Sequence, residues 1–122
     1  MSKIDNLREN LKNANNRLKE AIKEKATQMN KDATIQRFEF CFELSWKLLQ
    51  AYSKEQGINC YGPRNCIRES HNLGIIKNTE KWFDFLNARN LTTHTYSQEI
   101  ADKIYEKAKI FPSYVDNILE NI

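Results

Sequence analysis

The 122 residues, 40% of them apolar and 29% charged, suffice for one domain around one core and are too few for two. Nineteen Lys and Arg against sixteen Asp and Glu give a net charge of +3, which fits an RNA or nucleotide partner without demanding one. The apolar and charged fractions argue against disorder, and three Gly and two Pro leave few turns, which disfavours all-β sandwiches and barrels and favours a few long helices.

The start, Met1-Ser2-Lys3-Ile4-Asp5, lacks the apolar stretch of a signal peptide. No apolar run approaches a membrane span, so the chain is expected in the cytoplasm with no membrane partner. From Ile4, the residues Leu7, Leu11, Ala14, Leu18, Ala21 and Ile22 recur at steps of three and four, predicting a helix to about Thr27. Ser2, with Asp5 three residues on, caps its start. The polar stretch Gln28 to Asp32 breaks the pattern.

A second helix is predicted from Asp32 to Gln56. Its apolar residues, among them Ile35, Phe38, Phe40, Cys41, Phe42, Leu44, Trp46, Leu48 and Leu49, cover more than one face. Such a helix packs on neighbours from two sides, and its aromatics read as core. Gly57 then fits a helix end that needs positive φ. Glu39 and Glu43 form a like-charge pair at i, i+4, which calls for a cation from Arg37 or from another helix. A buried charge network is the favoured reading, and an acidic patch for a partner the other.

Gly62-Pro63 opens a shorter third helix that stops at Gly74. Arg64 and Arg68, four apart, present two guanidinium groups near its N-terminus, which suits a phosphate or carboxylate. The other reading is an exposed pair bridged to Glu69 or to a partner subunit. His71 reads as surface. Asn78 and Thr79 begin a fourth helix carrying Trp82, Phe83, Phe85 and Leu86. Ser97 caps the last helix, whose stripe from Ile100 to Ile122 keeps its phase through Pro112 and predicts one helix kinked there. The three cysteines, Cys41, Cys60 and Cys66, are odd in number and lack CxxC spacing, so reduced thiols are expected. Cys60, Cys66 and His71 lack a fourth ligand for zinc, and the chain calls for no metal or cofactor.

Between the fourth and last helices lies Arg89-Asn90-Leu91-Thr92-Thr93-His94-Thr95-Tyr96, which concentrates a permanent cation, an amide, hydroxyls, an imidazole and a phenol. Residues five apart on a straight helix differ by about 140° in azimuth. Arg89 and His94 therefore converge only if the helix unwinds between them or if two copies meet across a two-fold axis. The free amides at the start of the last helix favour an anion such as phosphate. The plainer alternative is that both side chains satisfy loop carbonyls.

Three stretches together resemble a known family: Gln36-Arg37-Phe38-Glu39-Phe40 with Glu43-Leu44-Ser45-Trp46-Lys47, Pro63-Arg64 with Arg68-Glu69, and Arg89 to Tyr96. They are similar to the nucleotidyltransferase substrate-binding proteins of the HEPN superfamily, in order and spacing over nearly the whole chain. The resemblance implies an all-α, antiparallel up-and-down bundle of four to five helices, one domain over residues 1–122. It implies a cognate minimal nucleotidyltransferase as partner, in some cases in a toxin–antitoxin pair, and a homodimer that joins two motifs across its seam. Arg89 and His94 match the Arg-x4-His motif of HEPN ribonucleases, and Asn90 the polar residue that often follows the Arg. Tyr96 matches the tyrosine that the partner transferase adenylylates.

Two functions follow from the resemblance. One is a metal-independent endoribonuclease in which the RNA's own 2′-hydroxyl attacks, His94 moves its proton, Arg89 steadies the phosphorane, and Asn90 and Thr93 orient the groups. Imidazole suits proton transfer near neutral pH as a side-chain type. The other is a non-catalytic subunit that presents substrate to the transferase.

Overall fold

A computed structural model describes residues 2–122. Five helices follow one another: α1 (Lys3–Lys23), α2 (Gln28–Glu55), α3 (Gly62–Asn72), α4 (Thr79–Asn90) and α5 (Gln98–Asn121), with a single 3-10 turn, Thr92–His94, ahead of α5. No strand occurs among the described residues. None of the helices is long and apolar enough to cross a membrane.

The caps lie where the sequence places them. Ser2 and Asp5 form a reciprocal capping box on α1, and the side chains of Asn78 and Ser97 accept amides in the first turns of α4 and α5. The corner between α1 and α2 differs from expectation. Glu24 adopts extended backbone, so α1 ends at Lys23, and the Thr27 hydroxyl accepts from the Asn30 amide at 3.1 Å to begin α2 at Gln28. The stretch from Gln28 to Asp32 is thus a polar first turn. Asn30 Nδ2 donates to the Ala21 carbonyl at 2.9 Å and fastens this turn to the end of α1.

Helix directions follow from the cross-links. Arg8 donates to the Leu119 carbonyl at 2.7 Å, and Asn15 to that of Pro112 at 3.3 Å, so α1 and α5 run antiparallel. Asn30 reaches the Ala21 carbonyl and Arg37 donates to the Arg17 carbonyl at 2.8 Å, so α1 and α2 are antiparallel as well. Lys107 pairs with Asp84 at 3.7 Å while Trp82 meets Tyr114, so α4 opposes α5. Helix α2 touches all four others, as its apolar breadth requires. Its Phe38 and Phe42 meet Phe111 of α5 and Trp82 of α4 with ring centroids 5.2–6.4 Å apart, inside one apolar cluster that also takes in Leu11 and Leu18. Pro112 lies inside α5, which continues through it to Asn121.

The expectation of three reduced thiols is corrected. Cys60 and Cys66 form a disulfide, and only Cys41 is free, buried in the core. The spacing conceals this because bridging depends on a turn. Gly62, at φ +77°, folds the chain back so that Cys60 in the loop and Cys66 on α3 have Cα atoms 5.0 Å apart, within bridging reach.

Candidate functional site

The site grows from the C-terminal end of α4. Trp82, Phe85 and Leu86 bury the inward face of this helix, and Arg89, four and three residues beyond the last two, continues that face to its rim. Its guanidinium lies over the Phe42 ring, 5.8 Å from the centroid, and reaches α2. There Nε and Nη2 both donate to the Glu43 carboxylate. Nη1 donates to Asn90 Oδ1 at 3.0 Å, and the other Glu43 oxygen accepts from Trp46 Nε1 at 3.1 Å. A continuous polar chain therefore runs from Trp46 through Glu43 and Arg89 to Asn90. It supplies the cation that the Glu39–Glu43 pair demanded, from α4. Arg37 is turned toward the Arg17 carbonyl instead.

Of the two geometries by which Arg89 and His94 could share a site, the unwound helix is present. Helix α4 closes at Leu91, whose amide donates to the carbonyls of Asn87 and Ala88, and the Thr92 hydroxyl donates to that of Arg89 at 2.8 Å. The chain then tightens into the turn Thr92–His94. His94 is exposed, and its Nδ1 shares a hydrogen bond of 3.0 Å with the hydroxyl of Tyr96, itself 84% exposed. Asn90 and Thr93 are exposed beside them. The segment brings together Arg89 with Asn90 at the end of α4, and His94 with Tyr96 at the turn that follows. No hydrogen bond joins the pairs within one chain.

Arg64 and Arg68 lie elsewhere, on α3, with guanidinium carbons 4.8 and 5.7 Å from the centroid of the Phe83 ring. Among the described residues, neither forms an ion pair with Glu69. His71 is exposed. Among the described residues, no three His, Cys, Asp or Glu side chains stand close enough to hold a metal ion. Sequence reasoning missed that Glu43 belongs to Arg89 and that Trp46 anchors it. The available signal was a carboxylate pair lacking a cation on its own helix. It also assigned Phe40 to the core, whereas Phe40 is 55% exposed. Phe40 and Glu43 line an open groove of about 730 Å³ between α1 and α2, with Arg17 and Arg37 on its walls.

Comparison with known proteins places these residues in context. The model of the family described as "Nucleotidyltransferase substrate binding protein like" matches residues 6–122. A Haemophilus influenzae protein named probable ribonuclease HepT is 34% identical over 93 residues, covering 72% of this chain. The match spans 64% of that relative, so this chain corresponds to somewhat less than two thirds of its length. A crystal structure from Thermus thermophilus superposes with a TM-score of 0.85 at 31% identity, over 90% of this chain and 96% of the other. A second, from Haemophilus influenzae and described as the fold of a substrate-binding domain of a nucleotidyltransferase, gives 0.76 at 28% identity, over 90% and 94%.

Proposed function

The chain belongs to the nucleotidyltransferase substrate-binding protein family, and from that membership we propose that it is the helical partner of a separate nucleotidyltransferase and cleaves RNA under that enzyme's control. The observation that carries the reading is the pairing of a held guanidinium with an exposed imidazole on one short segment. Arg89 is fixed by Glu43 and Asn90, while His94 stands open five residues on. A relative named as a ribonuclease supports it.

In this reaction the 2′-hydroxyl of RNA attacks the adjacent phosphorus and the bond to the 5′-oxygen breaks. The products are a 2′,3′-cyclic phosphate and a 5′-hydroxyl. His94 takes or returns the proton, since imidazole exchanges protons near neutral pH. Arg89 keeps its charge throughout, and its planar fork suits the anionic oxygens of the phosphorane. Asn90 steadies the Nη1 end of that fork, and the exposed Thr93, next to His94 in the chain, orients the phosphate or the imidazole. The chemistry requires neither metal nor cofactor.

Tyr96 is the acceptor through which the partner silences the site. Its oxygen attacks the α-phosphorus of a nucleoside triphosphate, pyrophosphate leaves, and the phenolic proton is lost. The hydroxyl that now bonds His94 is then an ester, and a phosphodiester charge stands against the imidazole and Arg89. Two copies of the chain complete the site by facing their Arg89–His94 segments across a dimer seam. Action on cellular RNA implies a cytoplasmic protein, with thiol reductants bearing on the Cys60–Cys66 bridge.

A second reading rests on a specific observation. Glu43 already engages two of the three guanidinium nitrogens of Arg89, as in a structural ion pair, and a non-catalytic subunit presenting substrate needs no more. End-group analysis separates the two. Unmodified protein incubated with RNA in EDTA should yield 2′,3′-cyclic phosphate and 5′-hydroxyl ends, and an RNA with a 2′-deoxy residue at the cut position should resist. Intact RNA, or 5′-phosphate ends, would favour the presenting subunit.

A further inference from the structure

Arg64 and Arg68 meet over a single aromatic ring, and neither is paired with a carboxylate within 4 Å among the described residues. Their guanidinium carbons lie 4.8 and 5.7 Å from the centroid of Phe83, on α4, and both side chains are exposed. Three sources of positive potential thus coincide. Like charges at i, i+4 repel. Arg64 sits in the first turn of α3, where the helix dipole favours anions over cations. That turn holds no acidic residue, and its N-cap, Tyr61, offers no side-chain acceptor. The ring attracts both cations, but only weakly at an exposed contact. A fold that gathers two guanidinium groups against this opposition leaves a place for an anion between them.

We propose that Arg64, Arg68 and Phe83 form a phosphate-binding site for the backbone of a single RNA strand, distinct from the Arg89–His94 segment. Planar guanidinium groups bind phosphate oxygens through paired donors, and the ring holds both in place before the ligand arrives, which reduces the rotamer entropy lost on binding. The Cys60–Cys66 bridge ties the incoming loop to α3 at the same point. Phe83 precedes Arg89 by six residues on one helix, about 9 Å along its axis and about 120° around it. A stacked strand needs at least about three nucleotides, at roughly 3.4 Å each, to cover the axial part of that offset. The site therefore grips the strand a few nucleotides away from the bond that is cut. The inference rests on RNA as the substrate, but concerns its grip and not its cleavage.

The test uses a fluorescein-labelled single-stranded DNA of about twelve nucleotides, which lacks the attacking hydroxyl and reports binding alone. In the Arg64→Gln/Arg68→Gln variant, shown to be folded by its circular dichroism and a cooperative thermal melt, affinity at low salt should fall roughly 5–10-fold. The slope of log affinity against log salt should become shallower by about 0.7, the contribution of the one phosphate held between the two guanidinium groups. Phe83→Leu should show a smaller loss. Unchanged affinity and slope in the double variant would overturn the proposal. So would an arginine-dependent affinity for a Glu-rich peptide with none for the oligonucleotide. Arginine-dependent binding by a protein that cuts no RNA would uphold this site and refute the ribonuclease reading. Cleavage with an unaltered KM in the double variant would refute this site alone.

Discussion

Arg89 is held side-on by a carboxylate from another helix, and that hold fixes where its remaining donors point. The side chains of Arg89 and Glu43 are 27% and 29% exposed, so water screens the pair only in part. Glu43→Ala should lower stability by about 1–2 kcal/mol in denaturant titrations, because a half-buried guanidinium loses its partner. Glu43→Gln keeps an acceptor for Trp46 and should cost less stability while reducing kcat more than KM, since Arg89 is then misaimed. Equal kcat in Glu43→Gln and the wild type would show that the pair has no part in positioning. Cys41 tests the core in another way. Burial first, then the Asp116 carboxylate, push its thiol from 9.0 up to about 12, with Lys19 opposing. The unfolded chain ionises this thiol and the folded one does not. The stability due to this shift is therefore fully present below pH 9 and is lost as pH rises from about 9 to about 12. Replacing Cys41 by Ala should remove that part of the alkaline decline in denaturation midpoints, and an identical decline in both proteins would contradict it.

Elements defined by local chemistry were legible in the sequence. Ser2, Asn78 and Ser97 cap helices because a side-chain acceptor near a free amide needs no distant partner, and Gly57 and Gly74 end helices at φ +84° and +79°. The breadth of apolar residues on α2 announced its central position. The corner at residues 24–27 was less legible, because polar residues serve an exposed first turn as well as a loop. The Trp46–Glu43–Arg89 chain was hidden for a different reason: Glu43 and Arg89 are 46 residues apart and meet only when α2 and α4 pack. The disulfide was hidden because Gly62 decides it and the cysteine spacing does not. A bridge closing so short a loop should contribute roughly 2 kcal/mol. Chemical denaturation with and without reductant should show that difference in wild type and none in Cys60→Ser/Cys66→Ser. No response of the wild type to reductant would mean that the bridge contributes nothing to α3.

At the scale of the molecule, five helices around one apolar cluster leave the polar segment from Arg89 to Tyr96 on the outside. Arg89 with Asn90 and His94 with Tyr96 form separate pairs in one chain, and the proposed reading has a second copy face the first. Sedimentation at micromolar concentration should give twice the mass of one chain, and a monomer that still cleaves RNA would show that one copy suffices. Joint action of Arg89 and His94 on RNA is the claim on which the functional reading depends. It is tested most directly by cleavage of a defined RNA in EDTA by the wild type, Arg89→Ala and His94→Ala, each verified as folded by circular dichroism. The expected result is cleavage by the wild type and a loss of at least about 100-fold in each variant, the scale of a removed proton donor or electrostatic clamp. Cleavage by His94→Ala at the wild-type rate, or no cleavage by the unmodified wild type, would contradict it.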